Sequence, residues 1–264
     1  MDLYTFLKRL PKVSLHVHLA GTVQPSTLAA LAGKNGVALP AYREPEDLYN
    51  YPDFSQFIQI FDRVIASVRD RADFHRITYE TLQQAAEHGV RHREMFWNPT
   101  SHMACGVPYA TAVDGITAHA SEDGPARNVE TCLDLLGCER IDHGYHVLED
   151  ERITRRCADQ GVVFSCCPRS TAGVYFGKDL TRHPIREMAR QGLKIMVDCD
   201  DPPMFQTDPT SDYVAMAKPM GFGPEAVREF VLNGIDGAWL DDPTKRRWRR
   251  EWSREIDELI AQLD

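Results

Sequence analysis

A chain of 264 residues, 43% of them hydrophobic, is long enough to bury a core as one large domain. Its net charge of −9 argues against a nucleic-acid or anionic-membrane surface as the main partner. No run approaches the ~18 apolar residues of a membrane span, the first twelve residues carry no secretory pattern, and seven cysteines lack disulfide-framework spacing, so a reducing cytoplasm is expected.

In chain order, short apolar runs alternate with helical patterns, the signature of α/β architecture. Val13–Leu19 reads as a strand, and Gln24-Pro25-Ser26 opens a helix running to about Gly33. Phe54, Phe57, Ile58 and Phe61 fall at helical spacing, as do Phe74, Ile77, Leu82 and Ala85 before Gly89. A second strand is predicted over Val90–Trp97. Strands around His119 and His143, then Val162–Cys166 and Leu193–Val197, complete a set of six. Helices are predicted over 125–136, 149–160, 184–191, 211–220, 224–232 and 243–263. Cys166 and Cys167 are expected to be packing thiols at a strand end.

His16 and His18 sit two apart in a strand, so both rings project to one face. An H-x-H alone is also compatible with hydrogen-bonded core histidines. His119 and Asp200 add weight to the metal reading, because each also ends an apolar run, where barrel enzymes place catalytic groups. Three imidazoles and a carboxylate suit zinc and leave room for a water. Glu122, on the loop after His119, is a candidate for proton transfer, although Glu122 and Asp123 would also serve as an acidic pair at a helix start. His143 could orient a hydroxide, and Asp201 could pair with a polar substrate edge. His102 and His183 are expected to be structural, with His183 in a capping role before Pro184.

The strings LPKVSLHVHLAGT, HASED, ERIDHGYHVLED and VDCDDPPMFQTD, in this order, closely resemble the adenosine and adenine deaminase family of the amidohydrolase superfamily. The resemblance covers nearly the whole chain. It implies a (β/α)8 TIM-type barrel, with residues 1–264 forming a single metal-dependent hydrolase domain that holds one Zn2+. By residue-wise match, His16, His18, His119 and Asp200 correspond to the zinc ligands, and His18 also borders the substrate. Glu122 corresponds to the proton donor to purine N1, His143 to the histidine that orients the attacking hydroxide, and Asp201 to the carboxylate that contacts N7. The resemblance also places the stripe of Phe54, Phe57 and Phe61 where the family has a helical flap, though core packing is the expected use of at least two of them.

Two departures qualify the match. Where the family has an acidic residue after H-x-H-L, this chain has Ala20, whose methyl group cannot hydrogen-bond a ribose hydroxyl. Only 13 residues lie between Cys105 and His119. A strand–helix–strand unit takes roughly 30 residues, so about two β/α units of the barrel are absent there. A true deletion, a shortened chain, or a sequence that omits residues of the molecule would each account for this. The expected activity is hydrolytic deamination of a 6-aminopurine nucleoside, adenosine to inosine plus ammonia. Adenine, a 5′-modified adenosine such as aminodeoxyfutalosine, and an inactive metal-binding truncation stand as alternatives. The expected partner is a small purine, with no nucleic acid and no membrane; the oligomeric state is left open.

Overall fold

The computed structural model describes residues 1–105, 118–120, 124–175 and 179–264. Among these residues the strands are β1 (Lys12–Ser14), β2 (Val90–Arg93), β3 (Ala118–Ala120), β4 (Arg140–His143), β5 (Val163–Cys166) and β6 (Lys194–Val197). All pairings are parallel: β1 with β2, and β3-β4-β5-β6 in that order. Beyond β1 the chain bridges both sets, with Val17 opposite Asp200 and His18 opposite Phe96. The strands therefore run in the order β2-β1-β6-β5-β4-β3.

Parallel neighbours need long crossovers, and helices supply them. They are α1 (Leu3–Arg9), α2 (Pro25–Asn35), α3 (Phe54–Ser67), α4 (Arg71–Glu87), α5 (Pro99–Ala104), α6 (Arg127–Asp134), α7 (Glu151–Gln160), α8 (Pro168–Tyr175), α9 (Ile185–Arg190), α10 (Pro209–Ala217), α11 (Pro224–Gly237) and α12 (Asp242–Ile260). Their ends follow local chemistry. Asp53 caps α3 by accepting the Gln56 amide, and Asp70 and Asp73 form a reciprocal capping box at α4. Asp150 starts α7, and Gly161 ends it at φ 67°, in the left-handed region that glycine enters without steric cost.

The predicted first two strands are longer than the observed ladders, which stop at Ser14 and Arg93. Past those points consecutive groups serve different neighbours. Leu19 donates to the Phe96 carbonyl at 2.8 Å and His18 to the Asp200 carbonyl at 3.2 Å, so the ends splay rather than continue one ladder. Helices α1, α5 and α8 were not expected. In α1, Asp2 accepts the Thr5 amide, and Phe6 and Leu7 are buried.

Two apolar clusters hold these elements. The larger joins β1, β4, β5 and β6 to α1, α7, α11 and α12 through Leu15, Ile141, Phe164, Ile195, Ile235 and Trp252. The smaller joins α2 and α3 to the segment after β6 through Leu28, Phe57, Ile60, Val64 and Met204. β4 and β5 are buried along their length; β5 is a mostly apolar run, whereas β4 buries Arg140, Asp142 and His143 as well as Ile141. β2 is only half-buried, and β1 is its one strand partner among the described residues. Among the described residues no helix is long and apolar enough to cross a membrane.

Candidate active site

The candidate residues gather where the strands end at their C-terminal side. His16 and His18 follow β1, His143 is the last residue of β4, and Asp200 lies three residues beyond β6. His18 Nε2 is 3.2 Å from Asp200 Oδ1, and His16 Nε2 is 3.6 Å from the same oxygen. One ligand-type atom from each of His16, His18 and Asp200 lies within 4.8 Å of the others. The ring of His143 is 4.4 Å from that of His16, centroid to centroid. His143 and Asp200 both adopt positive φ, 62° and 64°, a conformation that costs a non-glycine residue on the order of 1–3 kcal/mol.

The backbone around the histidines is fixed from the opposite strand. Asp198, fully buried, accepts the amides of Leu15, His16 (2.8 Å) and Cys199 (2.9 Å) and the hydroxyl of Ser14 (3.0 Å). Burial pushes its carboxyl upward, while Arg93 and these amide donors act in the other direction. Asp201 lies against the α-carbon of Gly21; a Cβ at residue 21 would come within 1.5 Å of Asp201 Oδ1, so glycine is what admits the carboxylate.

His16 is held from behind as well. Its Nδ1 is 2.7 Å from Ser165 Oγ, and Ser165 donates to Asp142 Oδ1 at 2.6 Å. Cys167 Sγ is 3.6 Å from the same Nδ1, and His16, His143 and Cys167 form a second group of ligand-type atoms. Ser170 donates to Asp200 Oδ2 at 3.0 Å.

The site favours positive charge. Burial opposes protonation of His18, but the carboxylates of Asp201, Asp200 and Asp142 outweigh it and push its pKa up to about 9. Burial is likewise overcome at Asp200, whose carboxyl the imidazoles of His18, His16 and His143 hold well below the usual range. Two imidazoles and a carboxylate in a buried, anion-rich site fit a divalent ion of the zinc type.

A cavity of about 950 Å³ opens over the loop after Asp201, lined by Tyr49, Tyr51, Phe54, Phe57, Arg169 and Phe205 among others. Phe57 stacks on Phe205 at 5.1 Å and is buried, whereas Phe54 is exposed, so the aromatic stripe divides between core and cavity wall.

His119 lies on β3 with its backbone in register with Asp142. Glu122 falls outside the described residues. His102 is buried against Phe74 and Trp97, and His183 accepts the Ile185 amide at 3.3 Å, which is the expected capping role. Cys166 is buried as expected, while Cys167 lies beside the site rather than serving packing alone. The sequence reading missed Asp198, Ser165 and Ser170. Only Ser165, a polar residue inside the apolar run VFSCC, left a signal.

The adenosine deaminase family pattern matches residues 11–118 and 113–254, two segments that meet in the short interval before His119. An adenine deaminase of Streptomyces coelicolor is 28% identical, with 93% of this chain and 95% of that protein covered. That alignment runs over 323 positions, more than the 264 residues here, so the relative carries residues with no counterpart in this chain. Among solved structures, a zinc-bound amidohydrolase from Burkholderia ambifaria superposes with a TM-score of 0.88 at 28% identity, covering 98% of this chain and 94% of that one. An adenine deaminase from Arthrobacter aurescens gives 0.84 at 25% identity, covering 94% and 99%. The residues, the parallel strand order and these matches lead to one conclusion: the chain belongs to the adenosine deaminase family of hydrolases, which act on carbon–nitrogen bonds.

Proposed function

We propose that this chain is a zinc-dependent hydrolytic deaminase of a 6-aminopurine, with adenine as its first candidate substrate. The convergence of His16, His18 and Asp200 in a buried anionic site carries the reading. His16, His18, His119 and Asp200 would hold the metal. Zinc, when bound, supplies Lewis acidity that brings the pKa of a water near neutrality.

The chain's own residues do the rest. His143, its ring 4.4 Å from that of His16, holds the attacking water. Glu122 delivers a proton to N1, which offsets the loss of ring aromaticity as C6 is attacked. Water adds at C6, the amino group takes up a proton, the C6–N bond breaks, and ammonia leaves a 6-oxopurine. Asp201 pairs with N7. As a carboxylate it accepts from the N7–H of a free base; a nucleoside, which presents a bare N7, requires it protonated.

Adenine is placed first because the relatives from Streptomyces coelicolor and Arthrobacter aurescens are adenine deaminases. Ala20, buried in the smaller apolar cluster, offers no acceptor to a ribose hydroxyl but departs from the adenine members of the family as well, so it ranks neither substrate. The 950 Å³ cavity favours a second reading, in which a nucleoside such as adenosine, or its 5′-modified form, extends over Tyr51 and Phe54. The two-segment family match and the 323-position alignment support placing about two missing β/α units before His119, leaving six strands of an eight-stranded barrel.

The test is ammonia release from adenine and from adenosine by chain carrying stoichiometric zinc. Release from adenine in excess over adenosine is expected. Zinc-loaded chain that releases ammonia from neither would overturn the reading.

A further inference from the structure

We infer that Ser165 is a positioning residue that locks the proton of His16 onto Nδ1 and thereby keeps Nε2 available as the metal-facing atom. The inference rests on the proposal that His16 is a ligand, and on a count of protons.

A serine hydroxyl carries one proton. Ser165 donates it to Asp142 Oδ1 at 2.6 Å, and both side chains are buried. The 2.7 Å contact between Ser165 Oγ and His16 Nδ1 can then form only if the ring nitrogen donates. The proton therefore sits on Nδ1, and Nε2 presents its lone pair toward Asp200 Oδ1, 3.6 Å away. The relay runs from His16 Nδ1–H through Ser165 Oγ–H to the Asp142 carboxylate.

Strand register builds the relay. Asp142 and Ser165 are directly opposed in the β4–β5 pair, so their side chains share one face. Asp142 also has a cationic neighbour on its own strand: Arg140 Nε lies 3.6 Å from Asp142 Oδ1. The guanidinium is fixed in turn by Glu94 at 2.9 Å and by the carbonyls of Gly237 and Leu15. Asp142 Oδ1 itself lies 3.6 Å from Nδ1, too far for a direct hydrogen bond, and Cys167 Sγ, also at 3.6 Å, is a weak acceptor that cannot replace the hydroxyl. A metal-bound histidine oriented by a carboxylate through its second nitrogen is a recognised arrangement, and the serine inserted here lengthens it by one link.

The test compares Ser165→Thr with Ser165→Val, which match in volume and differ in the hydroxyl. Zinc affinity of apo-protein is measured by competition with a chromophoric chelator, alongside the unfolding midpoint of each apo form. Ser165→Thr should bind zinc like the wild type. Ser165→Val should bind about 10–100-fold more weakly, with an apo midpoint lowered by the loss of the buried hydroxyl between Asp142 and His16. Equal affinity of the two variants overturns the inference. A wild type that binds no zinc overturns the ligand assignment instead. Should either variant fail to fold, ¹⁵N NMR of the wild-type apo-protein decides: a proton on His16 Nδ1 is expected, and an Nδ1 without a proton overturns the relay.

Discussion

The carboxylate of Asp198 and the amide of His16 meet at 2.8 Å across 182 residues of sequence. This contact makes the end of β6 the anchor for the end of β1. The same carboxylate takes the amides of Leu15 and Cys199, so it fixes the segment carrying His16 and His18 against the one carrying Asp200. Asp198→Ala would leave these buried amides without their acceptor. Apo-protein should lose about 3 kcal/mol in urea unfolding, since each orphaned buried donor costs roughly 1–3 kcal/mol. An unchanged midpoint would show that the clasp contributes nothing.

Gly21→Ala tests the seating of Asp201. The added methyl displaces the carboxylate. Misplacement by about 1 Å is enough to lower kcat/KM on the order of 10²-fold. Zinc content and thermal midpoint should stay near wild type, and full activity in this variant would separate Asp201 from substrate binding.

Glu122→Gln should retain zinc and lose turnover by about 10²–10⁴-fold, the usual range for a missing general acid. His16→Ala and Asp200→Asn should instead lose stoichiometric metal, read by elemental analysis. Turnover that survives in Glu122→Gln would reassign the acid.

Acid sensitivity should come in part from His183. Burial pushes its pKa down to about 3, from about 6.5 in an unfolded chain. The folded form keeps the ring neutral and accepts the Ile185 amide, while the unfolded chain takes up a proton. The contribution is therefore complete above pH 6.5 and declines as pH falls toward 3, by up to about 1.4 kcal/mol per unit. His183→Gln should flatten unfolding free energy against pH between 6.5 and 4.5. A slope identical to wild type would place the acid sensitivity elsewhere.

Much of the site was legible because strand ends advertise themselves. His16, His18 and Asp200 each interrupt an apolar run with a polar side chain, and period-two geometry puts both histidines on one face. Asp198 was hidden among the acids of VDCDD, where sequence alone cannot say which carboxylate turns inward. Ser165 was hidden because its partners come from register, which exists only once β4 and β5 pair. Helix α1 escaped because seven residues before Pro11 are too few to show periodicity. The shorter ladder of β1 followed from the splay at His18 and Leu19, a tertiary choice with no local signal.

His143 and Asp200 hold left-handed backbone angles that glycine would adopt freely. Selection for robustness alone would favour glycine at both places, and the folded state would gain from the exchange. The molecule instead carries an imidazole and a carboxylate there, at a thermodynamic loss. Backbone strain thus sits at the candidate site, and a more heat-resistant relative obtained by relieving those two angles would be a quieter enzyme.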